Sequence, residues 1–466
     1  MVFSSPVFLF VFFPAVCLVS LVLPVRLQNA WLALASVVFY AFGQPQYTLL
    51  LGASVLANYV FGRLLMRAGP HRRCILAFAA AANLLALGAF KYLDFLALTL
   101  NRLFGLSLTP PGIVLPIGIS FYTFQGLSYV IDVYRTPSEG TKSLGKLLLY
   151  ISFFPQLIAG PIIKYHDVSA QIDCRERTPG RTLTGVRRFI GGFAKKMLLA
   201  NTAGKVADAV FALTTDALDF RLAWLGAVCY TLQIYFDFSG YSDMAIGLGK
   251  LFGFDFAENF NLPYVSRSIR EFWRRWHISL SSWFRDYLYI PLGGSRCGKA
   301  RTMRNKLAVF FATGLWHGAN WTFVLWGLWH GLFSLLEEAG IIPKRLRGSR
   351  AGQLYTLLVV TLGFVLFRAD TLGGAWLMVS KMFTGAPRPV HTLTLYRLLD
   401  GYTATLLVSA VLLSLGLPQR AAGRLALRAP AAVREACCAV FYAGIFALGV
   451  LALATAGFNP FIYFQF

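Results

Sequence analysis

Charged side chains are scarce in this sequence. Of its 466 residues, only 14% are Asp, Glu, Lys or Arg, whereas 57% are hydrophobic and 15% aromatic. A soluble globular domain carries roughly 25% charged residues. The composition therefore excludes a disordered chain, argues against a soluble multidomain enzyme and predicts an all-α polytopic membrane protein.

Acidic residues are the scarcer charge class, with 20 Asp and Glu against 43 Lys and Arg. A net charge of +23 is found in some nucleic-acid-binding proteins. Here the basic residues form short clusters between apolar runs, which is typical of cytoplasmic loops in membrane proteins. We therefore expect the lipid bilayer as a partner and no nucleic acid.

The sequence also lacks the common metal, disulfide and cofactor motifs. Its seven cysteines contain no C-x-x-C pair, and neither a G-x-S-x-G elbow, a Walker loop nor an H-E-x-x-H segment is present. We expect no disulfide framework, no metal site and no tightly bound cofactor.

Long apolar runs predict the membrane spans, since a helix needs about 20 mainly apolar residues to cross a bilayer. We expect about 9–12 transmembrane or re-entrant helices, with amphipathic interfacial helices, in a single domain over residues 1–466. The predicted spans are 6–25, 29–43, 47–62, 74–92, 113–131, 222–247, 353–371, 401–417 and 435–457, with further pieces at 147–163, 183–203 and 307–336.

Loops between the first spans alternate between basic-rich and basic-poor. The loop after the third span holds Arg67, Arg72 and Arg73, whereas residues 44–46 after the second span are uncharged. Because Lys and Arg collect in cytoplasmic loops, the N-terminus is predicted outside.

The stretch 307–336 has basic clusters on both sides, so both of its ends should be cytoplasmic. It is too short for two full spans. Either one half is short, or the segment dips into the membrane and returns near Gly318-Ala319-Asn320. A broken helix at membrane depth is tolerated only where it is buried in protein or lines a wet cavity. The turn at 318–320 is therefore a candidate site.

Two of the six histidines lie in a repeated pentapeptide, Gly-Leu-Trp-His-Gly, at 314–318 and 327–331. For His330 we expect a neutral imidazole that bonds a backbone carbonyl between packed aromatic rings. His317 precedes the break at 318–320, and an imidazole there suits removal of a hydroxyl proton in acyl transfer, although a structural role is an equal alternative. The loop histidines are predicted to be solvated: His71, His166 and His391.

The segment 270–287 has the pattern of one amphipathic helix in the membrane interface. Its aromatic residues share a face with His277, and Arg274 and Arg275 lie on the other face. His277 either caps this aromatic stripe or forms a second polar group at the mouth of a buried pocket. Ten Lys or Arg residues lie between Arg267 and Lys306. They either set the membrane topology and attract anionic lipids, or bind an anionic acyl donor.

Polar residues interrupt the predicted 222–247 span. Asp237 and Tyr241 are four residues apart and share a helical face, whereas Asp243 lies well round the helix. Carboxylates in an apolar run face a cavity or pair with cations. A salt bridge to an arginine is the first interpretation, and contact with substrate is the second.

Five long motifs occur in order along the chain: LPIGISFYTF at 115–124, IAGP at 158–161, YFDFSGYSDM at 235–244, FWRRWHISLSSWFRDY at 272–287 and LWHGANW at 315–321. Together they resemble the membrane-bound O-acyltransferase (MBOAT) family. The most similar branch is bacterial, that of AlgI-like alginate O-acetyltransferases. The resemblance covers nearly the whole chain.

This resemblance implies a catalytic role for His317 and a second functional position at His277, in a helical scaffold around a central funnel. It implies a thioester donor, acetyl-CoA or an acyl carrier protein, on the cytoplasmic side of the bacterial inner membrane. The acceptor is then an extracytoplasmic polysaccharide such as alginate, or a cell-wall polymer, reached through a secreted or periplasmic acetyltransferase partner. The catalytic region is expected at 222–336.

In the expected reaction, His317, assisted by His277, takes the proton of an acceptor hydroxyl while its oxygen attacks the thioester carbonyl. The candidate substrate contacts are Asn320, Trp316, Arg274, Arg275, Asp237 and Tyr241. Asn320 or backbone N–H groups beside Gly318 are candidates to stabilise the oxyanion. The alternatives are a polysaccharide-precursor transporter or flippase without acyl transfer, and acylation of a membrane lipid.

Overall fold

The computed structural model describes residues 1–67, 69–426, 429–455 and 461–462. Over these residues the backbone is helical or irregular, without a strand, so the protein is an all-α polytopic membrane protein. The described chain forms two compact units. The first unit comprises Met1–Phe189 and Met244–Ala257, and the second comprises Ile190–Asp243 and Glu258–Phe466.

Ten helices begin in the first unit, and the first four of them lie at the first four predicted spans. They are α1 (Phe8–Val22), α2 (Val25–Gly43), α3 (Thr48–Arg67), α4 (Arg72–Lys91), α5 (Leu93–Phe104), α6 (Ile119–Arg135), α7 (Leu144–Ser152), α8 (Phe154–Leu157), α9 (Tyr165–Asp173) and α10 (Pro179–Ala194), with short 3-10 turns at Pro45–Tyr47 and Pro137–Glu139.

Within the first unit, α3, α4 and α6 pack closely around a polar pair. The amides of Asn58 and Asn83 bond each other in both directions, at 3.1 and 2.9 Å. Gly126 of α6 lies against this pair, because a Cβ there would lie 2.5 Å from Asn58 Nδ2. The two asparagines thus satisfy each other inside an apolar environment, which avoids the cost of unpaired buried amides.

Helix α6 begins later than the predicted span 113–131. Gly118 has a left-handed φ of +77° and precedes the first helical residue, Ile119. The backbone N–H of Ile117 donates to the side chain of Gln44, at 2.7 Å. This bond satisfies a backbone N–H group ahead of the helix, and residues 115–117 lie outside the helix. The predicted piece 147–163 is likewise divided into α7, α8 and a non-helical stretch.

The second unit contains the helices that carry most of the motifs. They are α11 (Asn201–Phe211), α12 (Phe220–Leu251, whose last residues belong to the first unit), α13 (Ile269–Arg275), α14 (Ile278–Phe284), α15 (Lys299–His317), α16 (Trp321–Glu338), α17 (Arg350–Arg368), α18 (Leu372–Thr384), α19 (Pro389–Leu398), α20 (Gly401–Ser414), α21 (Leu417–Ala426) and α22 (Ala431–Thr455). Wider π turns lie at Lys195–Ala200 and Arg285–Tyr289, and 3-10 turns at Thr215–Ala217, Pro263–Val265 and Leu346–Gly348.

The stretch predicted to dip and return is a helical hairpin of α15 and α16, joined at residues 318–320. Its helices of 19 and 18 residues extend beyond 307–336 at both ends. The repeated pentapeptide supplies the crossing: a Cβ on Gly327 would lie 2.3 Å from Phe310 O and 3.1 Å from Gly314 Cα. Only glycine allows the two backbones to approach this closely.

Four described helices are long and apolar enough to cross a membrane by themselves: Pro45–Arg67, Arg72–Lys91, Arg350–Arg368 and Ala431–Thr455. A fifth candidate is the pair α19 and α20, bent by 75°. Ala431–Thr455 corresponds to the predicted span 435–457, whose last two residues lie outside the described chain. Several other predicted spans form shorter helices.

The prediction of a solvated His391 is wrong. Its ring is buried in the second unit, where Nδ1 accepts from the Arg388 backbone N–H at 3.1 Å and Nε2 lies 2.8 Å from Asp216 O. It therefore fixes the start of α19. His166 is partly exposed, and its Nδ1 lies 3.0 Å from a carboxylate oxygen of Asp132. His71 is exposed.

Candidate active site

His277 lies at a break in the backbone, not within a helix. Helix α13 ends at Arg275, α14 begins at Ile278, and His277 between them has a left-handed φ of +45°. A continuous amphipathic helix over 270–287 is therefore a wrong prediction. The segment 259–261 supplies hydrogen bonds on both sides of this break: Asn261 N–H donates to Arg275 O, and Ile278 N–H donates to Asn259 O.

Asn259 organises the polar groups around His277. Its side-chain oxygen lies 3.1 Å from His277 Nδ1 and accepts from the Ser279 hydroxyl at 2.9 Å and the Ser279 N–H at 3.3 Å. Its amide nitrogen donates to the Ser242 hydroxyl at 3.0 Å. Because an amide oxygen only accepts, His277 Nδ1 carries the proton and Nε2 has the lone pair.

Burial lowers the pKa of His277 to about 3. The ring is fully buried, and Phe238 packs edge-on against it with 4.6 Å between the ring centres. A buried imidazole favours its uncharged form because the protein interior solvates the charge poorly. His277 is therefore neutral at physiological pH and has a defined tautomer.

His317 is the last residue of α15 and lies 6.3 Å from His277 between ring centres. Its buried ring is surrounded by Trp316, Trp326 and Phe367 at 4.9, 4.9 and 5.3 Å. The C-terminal end of a helix has a partial negative charge, so the imidazole of His317 lies beside the carbonyl groups of the last turn of α15.

Asn320 caps the second helix of the hairpin. Its side-chain oxygen accepts from the Thr322 N–H at 3.2 Å, and its amide nitrogen donates to Asp370 O at 3.0 Å. The same side chain therefore starts α16 and fixes the turn at 318–320 against the segment after α17. These contacts give Asn320 a positioning role.

His330, the histidine of the second pentapeptide, is enclosed by aromatic rings. Trp273 and Trp326 meet it edge-on at 5.2 Å each, and Phe272 stacks at 6.1 Å. The predicted aromatic packing is present. Neither ring nitrogen has a hydrogen-bond partner within the described chain, so the expected bond to a carbonyl is not formed.

A cavity of about 300 Å³ opens beside the segment that Asn320 contacts. Arg368 and Asp370 line it, and they follow Phe367, which packs on His317. Across the cavity, Arg368 pairs with Asp208 at 2.9 Å and lies 5.5 Å from the ring centre of Phe211. The wall thus combines a charged pair with an aromatic face.

The two carboxylates of α12 form ion pairs with consecutive lysines. Asp237 and Lys196 are both buried and bonded, and Asp243 pairs with Lys195 at 2.5 Å. The other oxygen of Asp237 accepts from the Ile462 N–H at 2.7 Å. The predicted salt bridges are therefore present, with lysine in place of arginine. Tyr241 is buried, and its ring lies 4.7 Å from Phe461.

The two arginines of the FWRRWH segment have different surroundings. Arg275 bonds Glu271 at 2.9 Å and Asn261 O at 3.1 Å, whereas Arg274 is exposed. Most basic residues of the region 267–306 are also exposed: Arg267, Arg270, Arg285, Arg296, Lys299, Arg301 and Arg304. All of these positions, like both site histidines, belong to the second unit.

Sequence reasoning missed Asn259 and Phe367. Asn259 lies 18 residues before His277, and no spacing pattern connects the two. Phe367 is one apolar residue among many in a predicted span. The sequence around Asn259 contained one signal, because Glu258, Asn259 and Asn261 form a polar stretch in the segment that leads from α12 towards the FWRRWH segment.

The chain is similar to one protein-family model and to several known proteins. The model of the membrane-bound O-acyltransferase family matches residues 139–341, which include both site histidines. The chain is 40% identical to "Probable alginate O-acetylase AlgI" of Azotobacter vinelandii, with 100% of both chains covered. It is 35% identical to the peptidoglycan O-acetyltransferase of Helicobacter pylori, over 82% of this chain and 80% of that protein. It is 28% identical to the teichoic acid D-alanyltransferase of Bacillus subtilis, over 55% and 68%.

Proposed function

Because the chain belongs to the membrane-bound O-acyltransferase family, we propose that this membrane O-acyltransferase moves an acetyl group from a cytoplasmic thioester towards hydroxyls of an extracytoplasmic polysaccharide or cell-wall polymer. Acetyl-CoA is the proposed donor, and a secreted or periplasmic transferase is the proposed partner. The relatives described above are all named as acyl-transferring enzymes, which favours this function over a transporter.

The observation that carries the proposal is the close placement of two buried histidines, His277 and His317, from separate motifs. In the proposed step the hydroxyl oxygen of the acceptor attacks the thioester carbonyl carbon. His317 takes the hydroxyl proton, the C–O bond forms and the C–S bond breaks. The thiolate then receives the proton from His317, which restores the neutral imidazole.

The position of His317 at the end of α15 favours this step electrostatically. The carbonyl dipoles of α15 stabilise the imidazolium that forms when His317 takes the proton. His277 remains neutral, with Nδ1 held by Asn259, so that Nε2 faces away from that bond as a hydrogen-bond acceptor. We assign His277 the role of orienting a reacting group beside His317.

On this proposal the donor and the acceptor approach from opposite ends of the α15–α16 hairpin. The donor binds at the basic start of α15, and the acceptor approaches near the turn at 318–320. At 19 residues and about 1.5 Å per residue, α15 separates its basic start at Lys299 from His317 by roughly 28 Å. The exposed arginines at 267–306 suit the phosphates of a CoA thioester or an acidic carrier protein. On this proposal the basic end faces the cytoplasm and the N-terminus lies outside.

The cavity at Arg368 is the proposed approach for the acceptor. It lies at the opposite end of α17 from the basic start at Arg350, and Phe367 connects its wall to His317. Charged and aromatic groups side by side suit a polyhydroxylated sugar, which offers both hydroxyls and an apolar ring face. Asn320 holds this segment to the turn at 318–320.

The test uses purified protein in lipid with radiolabelled acetyl-CoA and measures thioester cleavage. His317→Ala should reduce the rate by about 10²–10⁴-fold, the usual contribution of a general base. The repeated pentapeptide provides a matched control, because His330 is equally buried in the same sequence context. His330→Asn should retain most of the wild-type rate.

Wild-type cleavage that persists in His317→Ala, in protein that elutes as a folded species, would exclude His317 as the base. Equal losses in both variants would indicate a shared structural role. If acetyl-CoA is inert with every protein, acyl carrier protein loaded with an acetyl group is the next donor to test.

A further inference from the structure

Two arginines of the first unit form no ion pair with a carboxylate in the described part of the chain. Arg175 and Arg177 are half-buried in the loop between α9 and α10, and neither has an acidic partner within ion-pair distance among the described residues. The acidic residue between them, Glu176, is exposed. By contrast, the nearby Arg181 pairs with Asp255 at 2.5 Å.

Both guanidinium groups leave the same edge unbonded. Arg175 uses Nη1 to donate to Asn29 at 2.5 Å, and Arg177 uses Nη1 to donate to Ser20 O at 3.2 Å. The Nε and Nη2 atoms of each arginine are buried and have no hydrogen-bond partner in the described chain. Nε–H and Nη2–H form the fork that binds two oxygens of a carboxylate or phosphate side by side.

Two aromatic residues on either side of a glycine form the wall of the site. Phe254 lies 4.7 Å from the Arg175 guanidinium carbon, and Phe252 lies 5.9 Å from that of Arg177. Gly253 between them has a φ of +84°, and a Cβ there would lie 3.1 Å from Arg175 Cδ. Each arginine therefore lies over its own ring, and Gly253 leaves the space that Arg175 occupies.

Further contacts fix the pair at the turn between α1 and α2. Asn29, which accepts from Arg175, also donates to Ile172 O at 2.8 Å. Burial first, and then the charge of Arg177, lower the pKa of Arg175 to about 10. Two positive groups that repel each other are thus held partly out of water, and neither pairs with an acidic side chain in the part of the chain that the structure describes. An anion that bonds both forks would remove this repulsion and satisfy the unpaired N–H groups.

We propose that Arg175 and Arg177 form a binding site for a phosphate group, with the Nε/Nη2 forks as donors and Phe252 and Phe254 as the supporting wall. Inorganic phosphate has enough oxygens to accept from both forks side by side, whereas the phosphodiester of a phospholipid presents two non-bridging oxygens, one for each fork. The ligand is the headgroup of an anionic phospholipid at the end of α1 and α2, or a soluble phosphate group. The residues are remote in sequence from both site histidines, and the site does not depend on acyl transfer.

The test measures binding to the full-length protein, purified and delipidated in a neutral detergent. One arm adds phosphatidylglycerol and counts retained lipid by native mass spectrometry. The other arm adds inorganic phosphate and follows the apparent melting temperature. Loss of charge-assisted bonds in the Arg175→Gln/Arg177→Gln variant should weaken binding at least about tenfold. Arg181→Gln is the matched control, because it removes a partnered arginine and should bind like wild type.

Binding of phosphatidylglycerol alone would identify the ligand as a lipid headgroup, and a response to inorganic phosphate would identify a soluble phosphate. Equal binding of both probes by wild type and the double variant would overturn the proposal, as would an equal loss in Arg181→Gln. Arg175→Lys/Arg177→Lys serves if the glutamine variant does not fold. It keeps the charge but not the fork, so binding should still weaken several-fold.

Discussion

Replacement of Asn259 would test how the active-site imidazoles are held. Asn259→Leu removes the oxygen that accepts from His277 Nδ1–H, the Ser279 N–H and the Ser279 hydroxyl. The hydroxyl can rotate to another acceptor, but the two N–H groups cannot. A buried donor left unpaired costs about 1–3 kcal/mol, so the variant should be destabilised by roughly 2–6 kcal/mol.

The effect on activity follows from the tautomer of His277. Without Asn259 the ring can rotate or exchange its proton between nitrogens, and a misplaced group near the reacting atoms costs up to about 10²-fold. We expect kcat/KM for acetyl-CoA cleavage to fall by about 10- to 100-fold. The assay is single-turnover cleavage of radiolabelled acetyl-CoA by folded protein in lipid.

Asn259→Asp separates orientation from charge. The carboxylate accepts from the same donors, so the ring stays in place, but its negative charge raises the pKa of His277 from its value of about 3. The acidic limb of the pH profile of kcat/KM should therefore move to higher pH. Ser242→Ala is the control, since it removes only the partner of the Asn259 amide nitrogen. A folded Asn259→Leu protein with wild-type kcat/KM and pH profile would refute the role of His277.

Three further perturbations have defined outcomes. Gly327→Ala places a Cβ 2.3 Å from a backbone oxygen and should lower the free energy of unfolding by about 3 kcal/mol or more, measured as a lower melting temperature. Gly331→Ala, whose nearest contacts lie at 3.2 Å, should lower the melting temperature only slightly. Lys196→Met leaves Asp237 buried without its cation and should cost about 3–5 kcal/mol, and a wild-type melting temperature would contradict this pairing. Since the pKa of His277 is lowered from 6.5 to about 3, the unfolded chain binds a proton below pH 6.5 that the folded chain does not. Stability should therefore decrease by up to about 1.4 kcal/mol per pH unit below 6.5, and His277→Gln should reduce this slope.

The hairpin of α15 and α16 shows how far local sequence reasoning reached. Basic clusters on both sides and a break at 318–320 predicted a segment that enters and returns, and the structure has two helices joined at that turn. The predicted limits were too narrow, because the first turns of α15 are polar and lack the apolar signal. The role of the repeated pentapeptide is visible only in the structure, where Gly314 and Gly327 lie at the helix crossing.

The segment at 270–287 shows where such reasoning failed. Its three- and four-residue spacing fits one amphipathic helix, yet the chain breaks at His277 with a left-handed φ. The backbone and side chain of Asn259 supply the hydrogen bonds that the break would otherwise lose. A competing partner from a separate segment thus overrode the local helical pattern.

Composition and hydropathy by themselves determined that this is a helical membrane protein, because the cost of unpaired backbone in lipid leaves few other folds for so apolar a chain. The motifs also identified His277 and His317 as the candidate site histidines. Only the tertiary structure decided what surrounds them: Asn259 at His277, Phe367 at His317, and the bond from Asn320 to Asp370, fifty residues away. These contacts join segments that are distant in sequence, and neither spacing nor periodicity encodes a partner that packing alone brings within bonding distance.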